Sequence, residues 1–328
     1  MGTARILVTS AFLRPGDATD LALREAGFDT VHAPLRGQRK PGELESLLEG
    51  VSGVIAGSDR FDEGVLASAR DLRIIARTGV GYDSIDTAAA ASRGIAVCNA
   101  PGVNSAAVAE LALTFILMLA RKVPEAMRSV REGAWARPTG LQLDSSTLGI
   151  VGLGAIGRTV AQHAQALGMR VVAHDPYADR GYAADHDIAL VPFEQVLDEA
   201  DVVSLHIALT PETRHLIDAD ALRRMKRTAY LVNTARGPVV DENALIAALD
   251  AGDLAGAALD VVEEEPLAAS SALRDHPRAF VTAHIGGSTS QARDESARVA
   301  VESVVDFLQG RPPRNVVNPG YRQNLVTG

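Results

Sequence analysis

The stretch that decides the fold is Leu148-Gly149-Ile150-Val151-Gly152-Leu153-Gly154-Ala155-Ile156-Gly157, where G-x-G-x-x-G directly follows an apolar run. The apolar run predicts a buried strand, and the pattern of residues 158–167 predicts a helix after it. In such a unit Gly152 makes the turn, Gly154 lets the backbone approach a pyrophosphate, and Gly157 lets helix and strand pack closely. The pattern therefore predicts a dinucleotide-binding domain, although glycines in a tight turn alone would also produce it.

A second predicted strand, residues 169–174, ends at Asp175, about 20 residues beyond the glycine loop as the fingerprint requires. An acid there accepts hydrogen bonds from ribose hydroxyls and repels a 2′-phosphate, which favours NAD over NADP. No arginine is adjacent to Asp175, but Arg180 is close enough to leave NADP open. An exposed aspartate before the turn residue Pro176 is the structural alternative. The sequence predicts NAD as the cofactor.

Short β-branched runs alternate with amphipathic helical stretches along the whole chain. This alternation indicates parallel sheets covered by helices on both faces. Because 328 residues exceed one ordinary domain, we expect an α/β protein with two doubly wound domains and a cleft between them. Long helices are predicted from Asn104 to about Arg121 and from Ser290 to Leu308, and we hypothesise that the second returns to the first domain. The predicted strands are residues 6–8, 53–55, 74–75, 95–97, 148–151, 171–172, 202–203, 230–232, 257–262 and 280–281.

Bulk composition argues against several classes of protein. A formal net charge of −9 argues against a nucleic-acid partner. The longest apolar run, Leu111 to Ala120, is about half the roughly 20 residues that a membrane-spanning helix needs. The first ten residues lack the apolar region of a signal peptide, and the single cysteine, Cys98, excludes an intramolecular disulfide or a cysteine-rich metal site. We expect a cytoplasmic protein without a metal or a membrane partner.

Polar residues follow three predicted strands of the second domain. Arg236 follows residues 230–233, Glu265 follows the strand that carries Asp260, and His284 follows residues 280–283. Since ligands bind at the carboxyl ends of strands in open α/β sheets, we expect these groups at one edge. Each residue also has a plain structural alternative: a surface ion pair for the arginine, a helix-end charge for the glutamate, and a structural histidine.

Together the three side chains fit the chemistry of 2-oxo acid reduction. The planar guanidinium of Arg236 can bind the carboxylate and polarise the neighbouring carbonyl. His284 can give a proton to the forming alkoxide, and a carboxylate such as Glu265 favours its imidazolium form. The sequence predicts hydride transfer between nicotinamide and C2 of a small 2-hydroxy or 2-oxo acid.

At these residues the chain resembles the D-2-hydroxyacid dehydrogenase family, and within it the members that act on 3-phosphoglycerate. The resemblance covers nearly the whole chain. It implies a Rossmann-like NAD-binding domain, residues 101–287, inserted into a flavodoxin-like substrate domain, residues 1–100 plus 288–328. The matching motifs are residues 77–83 (RTGVGYD), 99–105 (NAPGVNS), the glycine loop, 204–206 (SLH), 210–213 (TPET), 233–237 (NTARG), 258–266 (ALDVVEEEP) and 284–289 (HIGGST).

The resemblance also implies site residues. Arg236, Glu265 and His284 fall on catalytic positions, and Asp260 on the position of the acid that holds the nicotinamide amide. Asn104 falls on a substrate position, with a plain helix N-cap as its alternative. The implied cofactor contacts are Val80, Gly152, Gly154, Ala155, Ile156, Gly157, Asp175, His206, Ile207, Thr213, Thr234, Ala235, Asp260, Gly286 and Gly287. The implied substrate contacts are Val80, Gly81, Asn104, Arg236 and His284, with Arg60 as a weaker candidate.

Some features leave the substrate and the activity open. Gly57 stands where many phosphoglycerate enzymes carry a phosphate-binding arginine, and Arg60 lies three residues on. We rank 3-phosphoglycerate first, and glyoxylate or hydroxypyruvate second. An NAD-sensing corepressor is the alternative from another class; a formate dehydrogenase would carry glutamine at the position of Glu265. The apolar helix Val108 to Leu119 predicts a homodimer, with a tetramer as the alternative.

Overall fold

The computed structural model describes residues 3–35 and 37–325 and divides into two compact units. The first comprises Met1–Asn104 and Ser288–Gly328, and the second comprises Ser105–Gly287. The second unit begins at Ser105 rather than at the predicted residue 101. Residues 1–2, 36 and 326–328 of the predicted substrate domain lie outside the described residues.

The first unit contains a five-stranded parallel sheet. Its elements in chain order are β1 (Arg5–Val8), α1 (Ala18–Glu25), β2 (Asp29–His32), α2 (Glu43–Leu47), β3 (Val51–Ala56), α3 (Glu63–Ser68), β4 (Ile74–Arg77), α4 (Thr87–Ser92) and β5 (Ala96–Cys98). The strand order is β2-β1-β3-β4-β5. Residues 6–8 of β1, 53–56 of β3, 74–76 of β4 and 96–98 of β5 are apolar and buried, as expected for strands covered on both faces.

The second unit contains a seven-stranded parallel sheet in the order β12-β11-β10-β9-β6-β7-β8. Its elements are α5 (Ser105–Ala120), α6 (Val123–Arg131), β6 (Thr147–Val151), α7 (Ala155–Ala166), β7 (Arg170–His174), α8 (Arg180–Asp185), β8 (Ala189–Leu190), α9 (Phe193–Glu199), β9 (Val202–Leu205), α10 (Ala219–Arg224), β10 (Tyr230–Asn233), α11 (Glu242–Ala251), β11 (Gly256–Leu259) and β12 (Ala279–Val281). The chain reverses its direction of strand addition between β6 and β9, which is where such sheets bind ligands. The prediction of two parallel-sheet α/β domains is confirmed.

The last helix, α12 (Ser290–Leu308), packs on the sheet of the first unit. Its residues Ala297, Val301 and Val304 share an apolar core with Ile6 of β1. A Cβ on Gly53 of β3 would lie 3.3 Å from a methyl group of Val304, so the glycine lets helix and sheet approach closely.

Two strands were not predicted, and one was predicted too long. Strands β2 and β8 are the short edge strands on one side of each sheet, and they lack the buried aliphatic run that marks the other strands. The predicted strand 257–262 is wrong at its end, because β11 ends at Leu259. Beyond it the buried side chain of Asp260 bonds to the backbone of another loop.

Candidate active site

The glycine loop connects β6 to α7 and has the shape that a phosphate site requires. Gly152 has φ 96°, and a Cβ there would lie 2.6 Å from the carbonyl oxygen of His206. A Cβ on Gly157 would lie 2.1 Å from the carbonyl oxygen of Gly152. A Cβ on Gly154 would meet no described atom within 4 Å, and Ala155 and Ile156 then begin α7. The loop is therefore closed against protein at two glycines and open at the third, as pyrophosphate binding needs.

Asp175 lies immediately after β7, the neighbour of β6, and its carboxylate is fixed by two backbone amides. Oδ2 accepts a hydrogen bond from the amide of Leu153 in the glycine loop at 2.8 Å, and Oδ1 accepts one from Tyr177 at 2.8 Å. These bonds hold the carboxylate beside the loop, where the sequence predicted a ribose contact.

Residues after β9 and β10 border the same carboxyl edge of the sheet. Thr213 closes the turn after β9 by donating from Oγ1 to the carbonyl of Ala208 at 2.7 Å, and a Cβ on Gly152 would lie 2.7 Å from Ile207. Thr234, which precedes Ala235, is buried, and its Oγ1 has no hydrogen-bond partner. A buried unpartnered hydroxyl is costly, so it indicates that a polar ligand group completes the site.

His206 is held in its neutral form at this edge. Its Nε2 lies 2.9 Å from Oγ of Ser204, and its Nδ1 is buried without a partner. Burial lowers the pKa of His206 to about 4. This histidine can therefore accept or donate a hydrogen bond at neutral pH without adding a charge.

Asp260 organises the segment that carries His284. Its carboxylate accepts hydrogen bonds from Oγ1 of Thr282 at 2.6 Å, from the amide of Ile285 at 2.8 Å and from the amide of Gly286 at 2.7 Å. His284 itself has φ 53°, a conformation that costs energy for a non-glycine residue. Asp260, the predicted nicotinamide contact, therefore also holds the strained backbone at His284 in place. The second unit ends at Gly287, three residues after His284.

His284 and Glu265 form a hydrogen-bonded pair. Nδ1 of His284 lies 2.9 Å from Oε2 of Glu265, and both side chains are partly exposed. The hydrogen bond to Glu265, together with its charge, raises the pKa of His284 above its usual value. Burial and the charge of Arg236 oppose this rise, and Asp260 adds to it. The pair therefore favours a protonated imidazole whose Nε2 is left for another partner.

Arg236 lies in the turn after β10. Asn233, which the sequence did not single out as a site residue, shapes this turn. Asn233 is fully buried; its Nδ2 donates to the carbonyl of Arg236 at 2.9 Å, and its Oδ1 accepts from the amide of Ala235 at 3.0 Å. An asparagine at a strand end that bonds to the following backbone is a turn signal, and it could have been recognised. The structure brings Arg236, Glu265 and His284 close enough for both neighbouring charges to shift the histidine.

The predicted contacts in the first unit occupy the loops after β3, β4 and β5. The carbonyl of Val80 accepts from Nδ2 of Asn99 at 2.8 Å, and the carbonyl of Gly81 accepts from Nε of Arg77 at 2.9 Å. Oδ1 of Asn104 is buried without a partner, so it does not cap α5. Arg60 is exposed.

Two kinds of feature are absent from the part of the chain that the structure describes. None of those helices combines the length and apolarity needed to span a membrane. No group of three or more His, Cys, Asp or Glu residues in residues 3–35 and 37–325 is arranged to hold a metal ion.

Comparison with known proteins agrees with this geometry. Residues 113–286 match the model of the NAD-binding domain of the D-isomer specific 2-hydroxyacid dehydrogenases. The chain is 41% identical to D-3-phosphoglycerate dehydrogenase of Synechocystis over 83% of this chain and 50% of the relative. It is 42% identical to glyoxylate reductase of Korarchaeum cryptofilum over 80% of each. The crystal structure of D-lactate dehydrogenase from Aquifex aeolicus with NAD and lactic acid matches with a TM-score of 0.85 and 26% identity, covering 95% of this chain and 99% of that one.

The fold and the glycine loop define a two-domain nucleotide-binding α/β protein. The chain belongs to the D-isomer specific 2-hydroxyacid dehydrogenase family, and the predicted cofactor, NAD, is confirmed. It spans about half the length of the phosphoglycerate dehydrogenase relatives that it matches.

Proposed function

We propose that this protein is an NAD-dependent dehydrogenase of small D-2-hydroxy acids, which interconverts the hydroxyl and carbonyl forms at C2. The observation that carries the proposal is the 2.9 Å contact between His284 and Glu265, with Arg236 near enough to affect the pKa of the histidine. An acid–base pair beside a guanidinium is what reduction of a 2-oxo acid requires. A protein that only senses NAD has no need of this pair.

Each side chain then has a distinct task. Arg236 binds the substrate carboxylate and draws electron density from the carbonyl. His284 donates a proton from Nε2 to the substrate oxygen in reduction, and accepts it in oxidation. Glu265 accepts the hydrogen bond from Nδ1, which fixes the ring orientation and stabilises the imidazolium. When bound, the nicotinamide cofactor would supply the hydride as NADH in reduction and accept it as NAD in oxidation.

The remaining predicted contacts take supporting places in this proposal. The glycine loop and Asp175 bind the pyrophosphate and the ribose, and Thr234 and His206 supply polar groups to the cofactor. The roles assigned to Val80, Gly81, Asn104 and Arg60 in substrate binding stay predictions.

Replacing Glu265 by glutamine is expected to change the pH dependence of reduction. The rate falls as pH rises through the pKa of His284, because only the imidazolium can donate the proton. Glutamine keeps a hydrogen-bond acceptor but removes the charge that helps to raise that pKa, so the falling limb of kcat/KM should move to lower pH. Glu264→Gln, a neighbouring exposed change, should leave the limb in place. An unmoved limb in the Glu265 variant would contradict the role assigned to this residue.

The substrate is proposed to be the 3-phosphoglycerate couple first, by similarity to relatives of that activity. Glyoxylate or hydroxypyruvate is the second candidate, and Gly57 favours it. The amide of Gly57 donates to Oγ1 of Thr9, and a Cβ there would lie 2.9 Å from the Thr9 carbonyl oxygen. Gly57 offers no positive charge to a substrate phosphate, and the close backbone leaves little room for a side chain there. Arg60 is the nearest exposed arginine in the sequence.

A substrate panel tests this ranking. Initial rates of NADH oxidation with phosphohydroxypyruvate, hydroxypyruvate and glyoxylate should show the highest kcat/KM for the phosphorylated compound, and Arg60→Gln should reduce that preference. Equal or higher kcat/KM for the unphosphorylated acids would reverse the ranking. If none of these compounds and no other 2-oxo acid were turned over, a non-catalytic NAD-binding protein would be the better hypothesis.

We also propose that two copies of the chain associate through α5 and α6. Half of the large apolar residues of α5 are buried within the unit, and the other half, including Leu117, are partly or fully exposed, so the predicted helix supplies only part of the exposed apolar surface. It lies mainly on α6 and after it, where Val130 is 54% and Trp135 73% exposed. An open cavity of about 430 Å³ beside Leu117 and Met127 adds a recess that a partner could fill. An exposed apolar patch with a recess beside it is typical of an interface between two copies of a chain.

Light scattering tests the dimer. The protein should show twice the chain mass of 34.4 kDa, and a Met127→Glu/Val130→Glu double variant should shift toward the monomer, because two buried charges oppose association. Glu substitutions of two exposed polar residues, Gln162 and Gln195, serve as the control. A monomeric wild-type protein at micromolar concentration would refute the proposal.

A further inference from the structure

The loop that carries Glu265 is joined to the start of α11 by two acidic residues, Glu242 and Glu263. The amide of Glu263 donates to Oε1 of Glu242, and the amide of Glu242 donates to Oε1 of Glu263 at 3.3 Å. Each carboxylate thus binds the backbone of the other residue. We call this reciprocal arrangement of Glu242 and Glu263 the acidic clasp.

The clasp acts where the two catalytic loops touch. A Cβ on Gly237, the residue after Arg236, would lie 1.9 Å from the carbonyl oxygen of Val262 and 2.6 Å from the amide of Glu263. The loop with Arg236 and the loop with Glu265 are therefore in direct backbone contact. Glu265 follows two residues after Glu263, and its Oε1 lies 3.4 Å from the amide of Val262. Only Glu264 separates Glu263 from Glu265 in the chain, so a fixed backbone at Glu263 restricts the positions that Glu265 can take.

The charges in the clasp indicate that it serves geometry more than stability. Two carboxylates near each other repel, and burial together with the charge of Glu263 raises the pKa of Glu242. Nε2 of His215 lies 2.8 Å from Oε1 of Glu263. This histidine is held in a left-handed conformation, φ 52°, and its amide donates to the carbonyl of Pro238 at 2.8 Å. The backbone at Glu263 is therefore fixed despite backbone strain at His215 and repulsion between the two carboxylates.

We propose that the acidic clasp positions Glu265 against His284, so that Glu242 and Glu263 are positioning residues for the proton-transfer pair. The effect of the clasp on catalysis rests on the proposed function, whereas its effect on the position of Glu265 does not. The charged groups that face His284 are Glu265, Arg236 and Asp260. None of these three belongs to the clasp, so the clasp acts on His284 only through the position of Glu265.

The test compares Glu242→Ala with Glu242→Gln. Alanine removes the acceptor for the Glu263 amide, whereas glutamine keeps an acceptor oxygen and removes only the charge. The pKa of His284 is measured by NMR titration of the histidine ring carbons in the protein without substrate, with His284→Gln to assign the signal. We expect a lower pKa in the alanine variant and nearly the wild-type value in the glutamine variant. Reduction of the 2-oxo acid should fall about 10- to 100-fold in Glu242→Ala, with its alkaline limb moved to lower pH.

The control is Glu264→Gln, which changes an exposed acid in the same loop and should alter neither measurement. An unchanged pKa of His284 in Glu242→Ala, or an equal change in Glu264→Gln, would overturn the proposal. Should Glu242→Ala fail to fold, Glu242→Leu removes the same acceptor oxygens while keeping a larger side chain at that position, and it carries the same prediction. The NMR result does not depend on turnover, so a protein inactive toward 2-oxo acids would refute the proposed function while the clasp remained testable.

Discussion

Replacing His284 by glutamine is expected to lower kcat/KM for reduction of the 2-oxo acid by about 100- to 10,000-fold. Glutamine can occupy similar space and keep a hydrogen bond to Glu265, but it cannot deliver a proton to the forming alkoxide. The affinity for NADH, measured by fluorescence titration, should stay close to that of the wild-type protein. The loss should therefore appear mainly in kcat.

A second histidine–carboxylate pair provides a matched control for this variant. His276 lies 3.2 Å from Asp250, and it precedes β12 and is therefore at the opposite edge of the sheet from His284. Replacing His276 by glutamine removes an imidazole from a similar pair and should leave kcat/KM close to the wild-type value. If the His284 variant retained wild-type activity, or if both variants lost activity equally, His284 would not be the proton donor.

Replacing Arg236 by glutamine is expected to cost about 2–5 kcal/mol of transition-state binding, which corresponds to a loss of about 30- to 4,000-fold in kcat/KM. The neutral amide cannot neutralise the substrate carboxylate, and it polarises the carbonyl weakly. Lysine should recover only part of the loss, since a point charge cannot form the paired contact of a guanidinium. Kinetics over a range of 2-oxo acid concentrations should show the larger share of the loss in KM.

The loss should be specific to this arginine. Arg227 is exposed and paired with Asp253 at 3.1 Å on the surface of the same unit, and Arg227→Gln should leave the kinetics nearly unchanged. Full activity in Arg236→Lys would show that a single positive charge at this position is sufficient. Full activity in Arg236→Gln would place the carboxylate-binding group elsewhere.

The parts of the fold that the sequence predicted are those with a strong repeating pattern. Strands β6 and β10 are short, mostly apolar runs that are fully buried, and α12 repeats apolar residues at helical spacing, so the apolar pattern predicts their positions. The edge strands β2 and β8 were not predicted, because one side of each meets solvent or loops and their residues are not all apolar and buried. Their pairing is set by tertiary contact and leaves little trace in local sequence.

The site shows the same division. The glycine loop and the acid at the end of β7 have a fixed spacing, which can be read from one sequence. The support around the catalytic groups depends on residues that are distant in the chain, such as Glu242 with Glu263 and Asp260 with Gly286. Nothing in the local pattern pairs these residues, and Asp260 was predicted as a ligand contact without its structural bonds. Asn233 was the one missed residue with a readable turn signal.

Deuterium transfer from NADH carrying deuterium at both C4 positions tests the central claim most directly. With a 2-oxo acid that the protein turns over, mass spectrometry should find one deuterium at C2 of the 2-hydroxy acid product, formed at a rate that the His284→Gln change sharply reduces. A product without deuterium at C2, or label transfer that is as fast in the His284 variant as in the wild-type protein, would contradict the account.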